Sequence, residues 1–509
     1  MRKMLVLVVL LCSSFQLMAQ SATSERPQFG ERPKLVVGIV VDQMRWDYLS
    51  RYYDKFGEGG FRRLISQGYS FDNCLINYLP TVTAIGHTSV YTGTTPAFHG
   101  ICGNNFFIDG RKTYCTSDST VNPVGSDNRR AGCMSPVNLL STTIGDQLRL
   151  HTDFKSKVIG VSYKERAAIL PAGHSATAAY WLDTKNRQFI TSTYYMQELP
   201  QWAKDYNRQL LENKEFKRVG KNVGFYPLTG HVTTDMAIAA LKGEQLGKGE
   251  ETDMLCISYS QTDVIGHKWG TRGEHTDEAY QELDKDLGRL LKALDEQVGS
   301  SNYLLFLTAD HGAAHNYQFM QDNNLYGGPW PSGDVKKGLE EYIAQQLGNS
   351  EPVVLGINNY RFYLDHQGIA KQGLQLQRVK EVAMDYLRQC PHIAFVVDFE
   401  KSATAPVPAF LRERILCGYH FHRSGDIIVC VDPGFYEFGS WSSPTGTDHG
   451  TWNPYDAHIP LLFYGWRVPQ GASPAEVYIT DIAPTVCSLL HIQQPNATIG
   501  HALTFNRFD

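Results

Sequence analysis

Continuous apolar runs that end at a polar residue dominate the pattern of this chain. Four of them predict core strands, at Leu35–Val41, Lys157–Val161, Met254–Tyr259 and Tyr303–Leu307. A strand that is apolar at nearly every position is buried on both faces, which is typical of a parallel sheet covered by helices. We therefore predict an α/β fold with a mainly parallel central sheet between helices.

The segment Asp277–Val298 has the clearest helical period between these runs. Its leucines recur at intervals of three and four residues, while Asp, Lys and Glu fill the other positions. The leucines are Leu283, Leu287, Leu290, Leu291 and Leu294. One apolar face of this width predicts a helix that packs on the core.

The pattern changes after residue 312. Gly and Pro cluster in LYGGPWPSGD, and short strand-like runs follow at Val353–Leu364 and Asp426–Val431. This change predicts an α+β insertion, approximately residues 313–440, within a single domain of residues 20–509. The tail Val477–Leu490 returns to an apolar, helix-compatible pattern, so we expect it to pack back onto the main domain.

The first twenty residues have the pattern of a secretory signal. Arg2 and Lys3 precede an apolar run from Met4 to Leu11, and a small residue, Ala19, follows. This order predicts a signal peptide, residues 1–19, that is removed during export across the inner membrane to the periplasm. No later stretch is long and apolar enough to predict a membrane span.

The composition excludes several classes of protein. The 42% hydrophobic and 19% charged residues are ordinary for a globular chain of 509 residues. A net charge of -5 and a pI near 6.4 give no general attraction to nucleic acid, so no nucleic-acid partner is expected. The cysteines lack CxxC spacing; Cys102 and Cys115 are the closest candidates for a disulfide, and buried free thiols are the alternative.

Carboxylates and imidazoles follow the predicted strands at their ends. Parallel strands deliver such residues to one edge of a sheet, and the spacing of four between Asp263 and His267 places both on one side of a helical turn. The full set is Asp42, Asp263, His267, Asp310, His311 and His449. Carboxylate with neutral imidazole suits zinc, and two divalent ions about 4 Å apart are a common device for phosphoryl transfer. The pattern predicts a two-metal hydrolase.

Longer motifs around these residues resemble the alkaline phosphatase superfamily, most closely the secreted PafA-type alkaline phosphatases with a threonine nucleophile. The matching segments are VVDQMRWDYL, PTVTAIGHTSVYTG, HGICGNNFF, SYKERAAILPAGH, TDVIGHKWG, TADHGAAHN and TDHGTWNPYDAHIPLLFYG. They occur in the family's order over most of the chain. The resemblance implies an alkaline-phosphatase-like catalytic domain, phosphate monoesters as substrates and two Zn²⁺ ions as cofactors.

The resemblance also implies how the ligands divide between the two ions. One zinc would be held by Asp263, His267 and His449, and the other by Asp42, Asp310, His311 and Thr83.

Thr83 is the nucleophile that the resemblance implies, because the family uses the second threonine of the P-T-x-T-A-x-G-H pattern. The reaction would then pass through a covalent phosphothreonine. Thr81 and Thr88 are the alternatives in the same segment, and backbone capping is their expected role.

Lys164 and Arg166 are candidate ligands for the phosphoryl group. A phosphate monoester carries about two negative charges near neutral pH, and alternate positions beyond a strand can point to the same side. A solvated pair balanced by Glu165 is the alternative. The resemblance implies that both side chains contact phosphoryl oxygens and that Asn104 donates a further hydrogen bond, with Asn105 as the neighbouring alternative.

The main alternative function is a phosphodiesterase or nucleotide pyrophosphatase of the same superfamily. Lys164 and Arg166 count against it, because a diester lacks the second charge that they would neutralise. A sulfatase is disfavoured since the segment after Thr83 lacks the x-Pro-x-Arg pattern of those enzymes. A non-catalytic metal-binding protein is the alternative from a different class, although all the expected side chains are present.

Overall fold

The apolar runs of the sequence lie side by side at the centre of a large sheet. The computed structural model describes residues 31–439 and 442–505, so the predicted signal peptide lies outside the described residues. The strands are β1 Leu35–Val41, β2 Tyr69–Leu75, β3 Asn105–Ile108, β4 Arg111–Tyr114, β5 Pro123–Val124, β6 Val158–Ser162, β7 Ala178–Asp183, β8 Gln188–Ser192, β9 Asp253–Tyr259, β10 Tyr303–Thr308, β11 Gly328–Trp330, β12 Val354–Asn358, β13 Arg361–Leu364, β14 Ile393–Asp398, β15 Ile427–Val431, β16 Phe435–Glu437, β17 His458–Ile459, β18 Leu461–Gly465 and β19 Gly471–Tyr478.

The centre of the main sheet is parallel. Its strands run in the order β10, β1, β9, β6 and β7, and every adjacent pair among them is parallel. Antiparallel pairs occur on both sides of this centre, where β18 joins β10 and β8 joins β7. All residues of β1 are buried, as expected for a strand covered on both faces. The predicted α/β fold with a mainly parallel core is confirmed.

Helices of eight residues or more flank the sheets. They are α1 Thr83–Thr92, α2 Ile144–His151, α3 Glu165–Ala172, α4 Gln201–Glu212, α5 Leu228–Gly243, α6 Gln261–Trp269, α7 Glu274–Gln297, α8 Ser332–Leu347, α9 Leu376–Leu387, α10 Ala409–Gly418 and α11 Ile482–Leu490. Shorter helices lie at Tyr48–Arg51, Phe61–Gln67, Pro96–His99, Arg129–Gly132, Lys214–Val219, Tyr317–Asp322, His366–Lys371 and Pro454–Ala457.

Helix α7 contains the predicted leucine face. All its predicted core leucines are buried, and burying one leucine side chain contributes roughly 1.5–3 kcal/mol. The helix begins at Glu274, three residues before the predicted start, and ends at Gln297. It packs against α5 and α6, and thereby supports the helix that carries Asp263 and His267.

A second sheet lies in the region of the predicted insertion. Strands β12, β13, β15 and β14 are antiparallel neighbours, and helices α8 and α9 contribute to a separate apolar cluster beside them. The turn between β12 and β13 contains Asn359 and Tyr360, both with positive φ (48° and 66°). Residue 440, at the predicted end of the insertion, is outside the described residues, and the boundaries of the insertion remain a prediction.

The tail differs from the prediction in part. Val477 belongs to β19, which pairs in parallel with β2, and the helix begins only at Ile482. The apolar pattern of this short segment does not distinguish a buried strand from a helix. The described cysteines are all free thiols, Cys102 and Cys115 among them. Among residues 31–439 and 442–505, no helix has the length and apolarity needed to cross a membrane.

Candidate active site

The predicted ligands meet at the carboxyl edge of the parallel strands. Asp42 follows β1 directly, Asp310 lies two residues beyond β10, and Asp263 lies in the first turn of α6, which follows β9. Lys164 comes two residues after β6, on the neighbouring strand. All four side chains are buried. Functional groups collect at this edge because each parallel strand there gives way to a loop or a helix.

Asp263 is the centre of the first predicted ligand set. Its Oδ1 lies 3.1 Å from Nε2 of His267 and 3.6 Å from Nε2 of His449. The structure therefore brings together the three residues predicted to hold one ion.

His311 is the centre of the second set. Its Nε2 lies 3.5 Å from Oδ1 of Asp42 and 3.5 Å from Oδ2 of Asp310. The hydroxyl of Thr83 is 3.4 Å from the same Nε2. Atoms of Asp42, Asp310 and His311 lie within 4.8 Å of one another, as do atoms of Asp263, His311 and His449. The two sets are adjacent, and His311 belongs to both groupings.

The three imidazoles are held by backbone carbonyls in one orientation. Nδ1 of His267 lies 2.9 Å from the carbonyl oxygen of Thr447, and Nδ1 of His311 lies 2.9 Å from that of Gly312. Nδ1 of His449 lies 2.7 Å from the carbonyl of Thr81. A carbonyl accepts a hydrogen bond, so Nδ1 of each ring donates and Nε2 is the atom left to face a cation. This is how metal-binding histidines are usually oriented.

An unpaired carboxylate oxygen shows that the cluster fits a cation. Oδ1 of Asp42 is buried and has no hydrogen-bond partner among the described residues. Its other oxygen accepts from Lys164 Nζ at 2.7 Å. A buried carboxylate oxygen without a donor is costly, and a divalent ion with oxygen and nitrogen ligands would satisfy it.

The pKa values reflect the concentration of charge in the site. Burial, followed by repulsion from Asp263 and Asp310, raises the pKa of Asp42 well above its usual range. Burial opposes ionisation of Asp263 as well, but His267 and Lys164 hold the pKa of this carboxyl well below its usual value. Burial, then repulsion by His311, lowers the pKa of His449 to about 3, so its imidazole is neutral.

Three threonines of the PTVTAIGHTS segment have different environments. The hydroxyl of Thr81 donates to the carbonyl of Thr451 and accepts from the amide of Gly450. The hydroxyl of Thr88 donates to the carbonyl of Ala84, as threonines within helices often do. Among the described residues, Thr83 has no such backbone partner, and its hydroxyl faces the ligand cluster.

Helix α1 brings Thr83 against the sheet. All ten residues of the helix are buried, and Thr83 is its first residue. The backbone N–H groups of a first helical turn have no partner within the helix, so they favour negative charge nearby. Gly86 permits the close approach, because a methyl group at this position would overlap the carbonyl of Asp310. Nδ1 of the next residue, His87, lies 3.1 Å from Oδ2 of Asp310.

Lys164 lies between the two predicted sets. Its ammonium is 2.7 Å from Oδ2 of Asp42 and 2.6 Å from Oδ2 of Asp263. The side chain is therefore beside both candidate ion positions, and the alternative of a solvated pair with Arg166 does not describe it.

Arg166 and Asn104 have hydrogen-bond partners outside the predicted ligand sets. Arg166 donates to the hydroxyl of Tyr114 at 3.0 Å, and its Nε is buried without a partner among the described residues. Oδ1 of Asn104 accepts from the amide of Ala84 at 3.1 Å, which leaves the side-chain nitrogen as the donor. Asn105 begins β3 and pairs with Tyr114, so its backbone is part of a hairpin.

Two polar residues of the site were not predicted from the sequence. Gln43 donates to Oδ1 of Asp263 at 2.7 Å through its amide, and its backbone N–H donates to Oδ1 of Asp310 at 3.1 Å. Asp448 groups with His267 and His449 as a further possible ligand. The signal for Asp448 was the tripeptide Asp-His-Gly, which occurs at residues 310–312 and again at 448–450.

Known proteins are similar to this chain over most of its length. Alkaline phosphatase PafA from Elizabethkingia meningoseptica is 42% identical over 93% of this chain and 94% of its own. Alkaline phosphatase PhoV from Synechococcus elongatus is 40% identical over 98% of each chain. A crystal structure of wild-type PafA matches with a TM-score of 0.89 and 41% identity, covering 93% of this chain and 99% of that one.

A family match covers the same region. The family described as type I phosphodiesterase / nucleotide pyrophosphatase matches residues 36–452, which include every predicted site residue. The family match and the long matches to alkaline phosphatases therefore cover the same strands and the same motifs at their ends. The chain belongs to the type I phosphodiesterase / nucleotide pyrophosphatase family of the alkaline phosphatase superfamily.

Proposed function

We propose that this phosphatase uses two zinc ions and a covalent intermediate on Thr83. The chain is a phosphate monoester hydrolase, in agreement with its identity to two alkaline phosphatases over nearly its whole length. The observation that supports the finer proposal is the position of the Thr83 hydroxyl, 3.4 Å from His311 Nε2 and beside a buried cluster of carboxylates and imidazoles.

The two predicted ligand sets suit a pair of divalent ions. Asp263, His267 and His449 would hold one ion, while Asp42, Asp310 and His311, together with Thr83, would hold the other. When bound, such ions lower the pKa of a coordinated hydroxyl and neutralise charge on reacting oxygens. Imidazole and carboxylate ligands favour zinc among the common candidates.

Thr83 would act as the nucleophile in two displacements. Its Oγ1 forms a bond to phosphorus while the bond from phosphorus to the ester oxygen breaks, and the alcohol leaves with a proton. Water then attacks the phosphothreonine, which frees the threonine and releases inorganic phosphate. Each displacement inverts the phosphorus, so the overall reaction retains its configuration.

Three side chains would bind the oxygens of the transferred group. Lys164 supplies a point charge beside both ion positions, whereas Arg166 supplies a planar fork of donors. The amide nitrogen of Asn104 is oriented by the contact of its oxygen with Ala84. These donors stabilise negative charge that grows on phosphoryl oxygens, which is electrostatic catalysis rather than proton relay.

The family contains phosphodiesterases, so diester hydrolysis is the second candidate. The buried position of Lys164 favours a dianionic substrate. The second negative charge of a monoester would interact with this ammonium, whereas a diester lacks that charge. The ratio of kcat/KM for a chromogenic phosphate monoester to that for a matched diester tests this choice. We expect the monoester to be preferred by orders of magnitude; a preference for the diester would contradict the proposal.

The export prediction completes the proposal. We infer that residues 1–19 direct the chain to the periplasm and are then removed. Mass spectrometry of protein recovered from a periplasmic fraction should show an N-terminus near Gln20. A protein that still begins at Met1 and stays in the cytoplasm would contradict it.

A further inference from the structure

Arg361 is a fully buried cation whose two terminal nitrogens lack hydrogen-bond partners among the described residues, although its guanidinium lies 5.9 Å from the ring centre of Tyr363. These nitrogens are Nη1 and Nη2. Nε makes one long hydrogen bond, 3.4 Å, to the carbonyl of Asn358. A buried charge whose donors lack acceptors is unfavourable, so its presence in a core position calls for a physical reason.

The guanidinium packs against the chain directly before Asn104. A methyl group placed on Gly103 would lie 2.9 Å from Nη2 of Arg361 and 2.9 Å from the carbonyl oxygen of Asn105. A side chain at this position would push aside the guanidinium or the backbone at Asn105, and the charged group fills the space beside the backbone of residues 103–105. Arg361 is the first residue of β13, immediately after the turn at Asn359 and Tyr360.

A second arginine holds the same stretch, residues 100–106, which we name the Asn104 segment. Nη1 of Arg423 donates to the carbonyl of Gly100 at 2.8 Å, and its guanidinium lies 5.5 Å from the ring centre of Phe106. Both arginines lie within residues 313–440, the predicted insertion. The insertion therefore contacts the Asn104 segment at its start and at Gly103.

We propose that Arg361 is a positioning residue that holds Asn104 in place through the backbone at Gly103. The inference rests on the proposed role of Asn104 as a donor to the phosphoryl group. Asn104 is fixed on one side by the amide of Ala84, at the start of the helix that carries Thr83, and Arg361 supports it from the other side.

The first experiment replaces the cation without emptying the core. Arg361→Met keeps most of the side-chain volume but removes the charge and the donors. We expect kcat for a phosphate monoester to fall roughly ten- to a hundredfold, since small misplacements of a catalytic group have effects of this size. We expect zinc content to stay the same and Tm to stay unchanged or rise, because the lost guanidinium had few partners.

Arg412 offers a matched control. It is a part-buried arginine of helix α10 whose donors bond, among the described residues, to the carbonyls of Ala405 and Val407, which also lie within residues 313–440. Arg412→Met should lower kcat less than twofold. An equal loss of kcat in the two variants would overturn the inference, because it would reflect general damage to this region.

A double-mutant cycle with Asn104→Ala tests whether Arg361 acts through Asn104. If it does, adding Arg361→Met to the Asn104→Ala enzyme should lower kcat by less than about twofold. The same fold loss in both backgrounds would overturn the positioning role while leaving the proposed function intact. Full activity of Asn104→Ala alone would contradict the proposed role of Asn104, and the inference with it.

Gly103→Ala disturbs the contact between Gly103 and Arg361 while leaving the arginine in place. It serves as the test if Arg361→Met does not fold. The added methyl group must displace either the guanidinium or the backbone at Asn105. We expect a loss of monoester kcat similar to that of Arg361→Met, and again little further loss when Asn104 is alanine. Unchanged kcat in a folded Gly103→Ala enzyme would overturn the inference.

Discussion

The imidazole rings of His311 and His449 are stacked, with centroids 3.6 Å apart and planes 14° from parallel. Two charged rings would repel each other in this position, and burial lowers the pKa of both, to about 3 for His449. The rings are thus a neutral pair whose Nε2 atoms, like the neighbouring carboxylates, could bind a cation. Through this contact the two candidate ion positions become parts of one centre.

Metal content is the most direct test of that centre. Purified protein should contain about two zinc ions per chain, and removal by a chelator should abolish monoester hydrolysis until zinc is added back. A metal takes neutral imidazole, so binding must displace the proton that Asp263 favours on His267; burial opposes this charge, but Asp263 raises the pKa of His267 to about 10. Full activity in a preparation shown by elemental analysis to be free of metal would exclude the mechanism.

The nucleophile can be tested within a single segment. Thr83→Ala should keep the fold and most of the zinc but lower kcat/KM roughly 10³-fold or more, because the attacking oxygen is lost. Thr83→Ser should keep a measurable fraction of activity. Thr88→Ala is the matched control, since its hydroxyl bonds to a helix carbonyl. Normal turnover by Thr83→Ala would show that the nucleophile lies elsewhere.

Replacement of Lys164 and Arg166 together should separate two kinds of substrate. The double alanine variant should lose several orders of magnitude in monoester kcat/KM, at roughly 2–4 kcal/mol for each charge-assisted contact, and much less in diester kcat/KM. Lys157 lies just before β6, at the opposite end of the strand that precedes Lys164, and Lys157→Ala is a control for general effects. Equal losses on both substrates at unchanged zinc content would favour the phosphodiesterase alternative.

Gln43 should affect metal affinity rather than the fold. Its amide donates to Asp263 and its backbone to Asp310, so it orients one carboxylate from each predicted set. Gln43→Leu should weaken zinc binding roughly 10–100-fold, as is typical when a partner of a metal ligand is removed. Titration with a competing chelator measures this affinity. Gln147→Leu, which removes a bond to Thr142, should leave it unchanged.

His231 gives a prediction for the pH dependence of stability. The hydrogen bond that Nδ1 of His231 donates to Asp286, 2.9 Å away, raises the pKa of His231 in the folded protein above its usual value of 6.5. Such a group stabilises the fold fully below the unfolded pKa, and this contribution is lost as the pH rises through the folded pKa. The Tm difference between the native protein and His231→Asn should therefore be largest below pH 6.5 and shrink at higher pH. A difference that stays constant from pH 5 to pH 9 would contradict it.

The central fold could be predicted because its signals are local. The runs at Leu35–Val41 and Tyr303–Leu307 are apolar at nearly every position, and the leucine period of α7 is unambiguous. The boundary between strand and helix in the tail could not be predicted, since Val477 pairs with a strand distant in sequence. Long-range pairing of this kind overrides the local pattern.

Candidate site residues could be predicted from the sequence where an apolar run marks the strand before them, and not elsewhere. Residues at strand ends, such as Asp42 and Asp310, are visible in the sequence because an apolar run marks the strand. Gln43 was missed because a single glutamine carries no such signal, and its role depends on a backbone with φ of 65° that turns it towards Asp263. The contact of Arg361 with Gly103 joins residues far apart in sequence, and only the folded chain reveals it.

Helix α1 has no exposed face, and this limits how the enzyme can adapt to different substrates. A helix enclosed on all sides opens only when a large part of the fold unfolds with it, so its amides should be among the slowest to exchange with deuterated water. Thr83 therefore keeps its place whatever ester is bound. Leaving groups of different size must then be accommodated by side chains outside α1, and an altered preference among alcohols should arise from changes there rather than around Thr83, the proposed nucleophile.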